Sequence, residues 1–163
     1  MQLDSSGTWA LLRELDDPDH MEFPRGHDHR AVRSRFEQLA AGLDRRFGCA
    51  CEVDRGVQDA SHHGRIDVPE AATRSGHCIA VIVSNFGGLV TVTLAPPGSL
   101  DEDEERALFH DDDRHRIQDE LDALGYISVS PHLLETRYDG VSDLAAYRPG
   151  EVSTWWMRFF DYL

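Results

Sequence analysis

The run from Cys49 to Leu94 restricts the fold of this chain more than any other part of its sequence. Cys49, Cys51 and Val53 alternate with Ala50, Glu52 and Asp54, the period-2 signature of a half-buried strand. A polar turn, Asp59-Ala60-Ser61-His62-His63, leads to a second strand over Gly64–Val68. His77–Phe86 is apolar on both faces and predicts a central strand; Gly87-Gly88 then turns the chain into Leu89–Leu94. Strands joined by turns this tight can only pair antiparallel. Asn85-Phe86-Gly87-Gly88 is glycine-rich but flanked by strands, so it reads as a hairpin turn and not as a phosphate-cradling loop that opens a helix.

Helical patterns bracket this run. Val32, Phe36, Leu39, Leu43 and Phe47 form one apolar stripe, with Asp28 placed to cap its start and Gly48 to end it. A shorter helix is predicted over Thr8–Leu15, capped by Ser5 or Ser6, with Trp9, Leu12 and Leu15 on one face. Asp16–His29, with two prolines and a glycine, reads as a loop. After Pro96-Pro97-Gly98, Ser99 and Glu102 match a capping box, opening an acidic helix that breaks near His110 and restarts at Asp111 or Asp112. Its apolar face is Ile117, Leu121 and Leu124, and Gly125 stops it. Tyr126–Ser130 predicts a fifth strand; Pro131–Gly150 reads as irregular, with one helical turn after Ser142. The aromatic density of Trp155–Tyr162 predicts a sixth strand, interior and buried on most of both faces; a helix there would pair Trp155 with Phe159 and Trp156 with Phe160. The expected fold is α+β: a mainly antiparallel sheet of about six strands with packed helices, in the order α-α-β-β-β-β-α-β-β. Residues 1–163 are expected to form one domain, with 1–28 an appended N-terminal helix and loop.

All sixteen basic residues are arginine. Without lysine there is no Schiff-base chemistry, no Walker-type phosphate loop and no kinase-type lysine–glutamate pair. The net charge of −14 disfavours direct nucleic-acid binding and anionic membranes, and favours a basic partner. Three cysteines argue against a disulfide framework, and no basic segment followed by an apolar run marks a signal peptide. The longest aliphatic run, Ile79–Val83, is far too short to span a membrane. A reduced, cytoplasmic protein is expected.

His27-Asp28-His29, Cys49-Ala50-Cys51, His62-His63 and the run His110–His115 contain metal-ligand residue types, but none has the spacing that fixes two ligands on one scaffold. Asp111 and His115, four apart, are the least implausible pair. Neither a metal nor another cofactor is expected. There is no G-x-S-x-G elbow, and the serines sit mainly at turns and caps, so the reading leans against an enzyme.

Charge is concentrated. Residues 101–122 hold eleven carboxylates against three arginines, a balance of −8, while residues 29–46 stand at +3. Asp101, Glu102, Asp103, Glu104, Glu105, Asp111, Asp112 and Asp113 are therefore the expected acidic binding face. The plainer reading is a solvated helix whose acids favour its N-terminal turns.

The stretch His29–Gly64 and the ending Trp155–Leu163 resemble small uncharacterised acidic proteins of high-GC bacteria, a group that brings no functional residue to carry over. Size and acidity are also similar to those of immunity proteins that neutralise nuclease toxins. That similarity implies a non-catalytic protein whose carboxylates occupy the phosphate-binding site of a basic partner. The alternatives are a small enzyme or metal-dependent hydrolase using histidines and carboxylates, and a structural or homo-oligomer subunit whose apolar tail is an interface.

Overall fold

The computed structural model describes residues 1–163. Two helices come first, α1 (Ser5–Leu15) and α2 (His29–Phe47). The strands β1 (Glu52–Asp54), β2 (His62–Val68), β3 (Ile79–Ser84) and β4 (Leu89–Leu94) follow. Then come α3 (Glu102–Leu108), α4 (Asp111–Ala123), β5 (Ile127–Ser128), α5 (Pro131–Leu134) and α6 (Trp155–Phe160). Single 3₁₀ turns lie at Glu70–Ala72 and Leu144–Ala146.

The strands form one mixed sheet in the order β1-β2-β3-β4-β5. β3 is central and buried along its whole length, as its two-faced apolar sequence requires. It pairs antiparallel with β4 across Gly87 and Gly88, both at positive φ, as a type I′ turn needs. Ile79, Val81 and Val83 join the core against α2 and α4, while Ile82 joins the opposite core with α1, α5 and α6. Helices thus cover both faces. At Gly64, an added Cβ would lie 2.7 Å from Phe36 Cζ and from the Asp54 carbonyl, so only glycine lets α2 settle this close to the sheet.

α2 has the expected caps. Asp28 accepts from the Ala31 amide (3.0 Å), and Gly48 ends the helix at φ 63°. α1 begins earlier than expected because Asp4, and not Ser5 or Ser6, is its cap (2.7 Å to the Gly7 amide). The capping box of α3 is Asp101 with Glu104, two residues beyond the expected Ser99–Glu102 pair; the Ser99 amide is held by the Pro96 carbonyl in the preceding turn. β1 is shorter than expected at its start, because Asp44 takes the Cys51 amide (2.8 Å) out of the ladder.

The first three strand pairings are antiparallel and the last is parallel, and one expectation about the sheet, its sixth strand, is corrected. β5 pairs parallel to β4, Leu89 with Ile127 and Val90 with Ser128. Unlike the earlier strands, it is reached through α3 and α4, and a helical crossover returns the chain to the end from which β4 started. The sixth strand is absent: Trp155–Phe160 is helical, with Thr154 accepting from the Met157 amide (3.4 Å). Trp155 stacks on Phe159 (6.1 Å, 17°) and Trp156 lies against Phe160 (5.7 Å), the i, i+4 pairs of a helix. The segment is interior all the same: Trp155, Met157, Arg158, Phe159 and Phe160 are buried. Within the segment expected to be irregular, α5 starts with Pro131 at its first position, and the 3₁₀ turn after Ser142 is capped by Asp143.

No helix is long and apolar enough to cross a membrane.

Candidate functional site

The acidic residues singled out from the sequence gather at one end of the sheet, where β3 begins and β4 ends. Their roles divide there. Asp101, Glu102, Asp103, Glu104 and Asp111 are exposed and Asp112 is half-exposed, but Glu105 and Asp113 turn inward. Glu105 Oε1 accepts from the Thr93 hydroxyl (2.5 Å) and the Leu94 amide (2.6 Å), while His132 donates to Oε2 (2.6 Å). It ties α3 to β4 and α5. Asp113 accepts from the amides of Arg74 (3.1 Å) and Ser75 (2.7 Å) and from the Ser75 hydroxyl (2.7 Å). Burial pushes the Asp113 carboxyl up, but these donors hold it below its ordinary range. Neither residue can meet a partner: each closes backbone groups that would otherwise be buried without partners.

The outward carboxylates are thinly compensated. Arg106 reaches Glu102 (2.9 Å) and Asp103 (3.3 Å), and Arg74 pairs with Asp112. Asp101 and Glu104 serve each other's backbone amides, and no arginine pairs with Asp111. Arg114 and Arg116 lie over the rings of Phe109 (4.2 Å) and Phe47 (5.4 Å). Beside α3, a polar hollow of about 330 Å³ opens between Arg106, Arg114, Gln118 and His132.

Glu105→Ala is therefore expected to cost about 2–4 kcal/mol, because it orphans a buried amide, a hydroxyl and an imidazole. Asp111→Ala, on the solvent side, is expected to stay within about 0.5 kcal/mol. Urea titration of the two variants measures the difference.

The opposite end of the sheet holds a second feature that motif spacing did not single out. A cleft of about 380 Å³ lies between the loop preceding α2, the loop from Arg55 to Ala60 and the start of β2. Phe23, His29, His62, His63 and Asn85 line it, with Glu22, Arg55 and Asp59. His27 is packed behind it, its ring 4.4 Å from His29 and 4.9 Å from Phe23. Asn85 Nδ2 faces the carbonyls of Glu22 (3.1 Å), Ala60 (3.2 Å) and His62 (3.4 Å). Its Oδ1 has no partner, nor have His62 Nδ1 and His27 Nε2, and all three atoms are buried. Arg55 is engaged by Glu37 through two hydrogen bonds, of 2.7 and 2.9 Å. The available signals in the sequence were the neighbouring pairs His27/His29 and His62/His63 and the chain's single asparagine. What joins them is a long-range register, His62 opposite Ser84 at the end of β3.

Burial pushes the imidazoles of His27, His62 and His63 below their ordinary value of 6.5. The folded chain then takes up protons on them less readily than the unfolded chain does. Stability is expected to fall as pH drops from about 6.5 toward the lowered folded values. Thermal melts at successive pH values test this, and the double substitution His62→Phe, His63→Phe should flatten that limb.

Asp111 and His115 both face solvent, and no group of three His, Cys, Asp or Glu side chains is placed to hold a metal ion. Cys49 and Cys51 stand with their sulfurs 4.0 Å apart; burial and the neighbouring Asp44 push the Cys51 thiol well above its ordinary range, which makes it a poor nucleophile. Comparison with protein-family models, curated proteins and solved structures finds no match to the chain.

Proposed function

We propose that this chain is a non-catalytic binding protein whose acidic end docks a basic macromolecular partner, in the manner of an immunity protein. The observation that carries this reading is the set Asp101–Glu104, Asp111 and Asp112, presented outward at the starts of two consecutive helices with only Arg74 and Arg106 paired to it. A net charge of −14 extends the same field over the molecule, which accelerates encounter with a cationic surface. Docking there needs no lysine and no cofactor. The exposed acids act by charge, while Glu105 and Asp113 hold the helices that present them.

The test reverses Glu102, Asp103 and Asp111 to arginine. This leaves the cap residues Asp101 and Glu104, the Arg74-paired Asp112, and the inward Glu105 and Asp113 in place. Proteins retained by immobilised wild type and variant from lysate of the source cell are identified by mass spectrometry, and association is then timed with the purified partner. A basic partner whose association slows about tenfold or more in the variant, and similarly in raised salt, is the expected result. An unchanged association rate removes this end of the molecule from the interface.

A further inference from the structure

We infer that the cleft lined by Phe23, His29, His62, His63 and Asn85 is a binding site for a guanidinium group. It lies at the far end of the sheet from the acidic helices, so this inference does not rest on the docking proposal.

The chemistry of the unfilled atoms selects the ligand. Asn85 is 5% exposed and His62 8%, so both are more than nine-tenths buried, and each keeps a polar atom without a partner. A buried polar group left unpaired costs about 1–3 kcal/mol, and both residues line the cleft, so a ligand that settles against them and shifts either side chain slightly can complete them. The orientation of Asn85 is set, because Nδ2 already faces three backbone carbonyls. What Asn85 leaves open is therefore an acceptor, and it calls for a donor. His62 Nδ1 can accept as well when its ring is neutral.

Charge and shape narrow the class further. Glu22 and Asp59 lie on the cleft wall, and its one cation, Arg55, is held by Glu37. An anion would meet carboxylates there, and a cation is attracted. The rings of Phe23 and His29 stand 4.6 Å apart at 69°, and His63 brings a third ring to the wall. A planar cation can stack on such faces while its edge donates several hydrogen bonds. Guanidinium does both, whereas an ammonium is a strongly hydrated point charge. The cleft volume, about 380 Å³, is at the small end of ligand sites and suits one such group on a short stem. Asp59 adds a backbone sign: it is the one non-glycine residue at positive φ (51°).

The source of the guanidinium is either a free small molecule or an arginine side chain on another polypeptide. Three probes separate them: methylguanidinium, methylammonium, and a capped tripeptide with arginine in the middle. Each is titrated into the intact chain while the ring C–H signals of all the histidines are followed by NMR. Saturable shifts confined to His27, His29, His62 and His63, with methylguanidinium at least tenfold tighter than methylammonium, are expected. The double substitution Glu22→Gln, Asp59→Asn, with its melting temperature checked against wild type, should weaken binding about tenfold or more. If the tripeptide binds as well as methylguanidinium, a polypeptide is the source; if only the small cation enters, a free ligand is. No shifts, equal shifts with methylammonium, or shifts that persist in the double variant would overturn the inference, leaving a water-filled recess on an acidic protein.

Discussion

Deletion of residues 155–163 is expected to leave a chain that is insoluble or unfolded. The segment puts Trp155, Phe159 and Phe160 into the core beneath Ile82, Phe86 and Leu89, and Trp155 also stacks edge-on to Trp9 of α1 at 5.7 Å. Loss of a single large core aromatic costs about 3–5 kcal/mol, against a total of about 5–15 kcal/mol for an ordinary domain. Three such losses exceed any plausible reserve. The lower face of the sheet would also be open to water, an aggregation hazard. Circular dichroism and gel filtration of the truncated chain decide the matter. A soluble, cooperatively melting product would instead make the tail an appendage for a partner or a second copy. Trp155→Ala alone should lower stability by about 3–5 kcal/mol.

Arg158→Ala is expected to cost a similar amount, about 3–5 kcal/mol, by a different route. The Arg158 side chain is 0% exposed and its partner Asp16 1%, with Nε 2.7 Å from the Asp16 carboxylate. The remaining guanidinium donors reach the carbonyls of Met21 (3.3 Å), Asp17 (3.1 Å) and His20 (3.2 Å). Asp16 also accepts from the hydroxyls of Ser142 and Tyr138 and from the Val141 amide. One buried pair therefore joins three stretches far apart in sequence: the loop after α1, the segment 138–142 and α6. Removing the arginine leaves a buried carboxylate without its counter-charge. Replacing both partners, as in Asp16→Asn, Arg158→Met, should recover part of the loss, because no uncompensated charge then remains. Chemical denaturation of the single and double variants measures the coupling.

The same pair has a pH signature on the acid side. Burial pushes the Asp16 carboxyl up, but hydrogen bonds from Ser142, Tyr138, Arg158 and Val141 outweigh it and hold the group below its ordinary 3.8. With the folded value depressed, its contribution is fully present above the unfolded value and is lost as pH falls through the folded one. Acid destabilisation of the wild type should thus have two contributions, a histidine one starting near pH 6.5 and a carboxylate one starting lower, near 3.8. Arg158→Ala should alter the lower one.

Much of the architecture is local, and local features are legible. The stripe Phe36, Leu39, Leu43 and Phe47, the cap at Asp28 and the stop at Gly48 define α2 without help from any other part of the chain. The Gly87-Gly88 turn and the two-faced apolar run before it define the β3–β4 hairpin and make β3 central. Each is decided by side chains within a few residues of one another, so periodicity and capping chemistry suffice.

Where long-range partners compete with local pattern, the tertiary structure decided. Aromatic density in Trp155–Phe160 favours a strand by propensity, but a helix presents Trp155 and Phe159 together to one core and turns Arg158 onto Asp16, a residue 142 positions away. The direction of β5 follows from the helical crossover before it and not from its own residues. Among the acids, the charge run marked where carboxylates concentrate, but Glu105 and Asp113 differ from their neighbours only in which amides they meet across the fold. The histidine cleft needed the register of β2 on β3 to bring His62, His63 and Asn85 into one place. The sequence by itself thus determined α1 to α4 in outline, the hairpin, the acidity and the exclusion of lysine chemistry, because each of these is a property of short segments or of the chain's composition. Which charges are buried, which face the last aromatic segment takes and where polar atoms are left unpaired were decided by packing, because these depend on groups that only the folded chain brings within a few ångströms of each other.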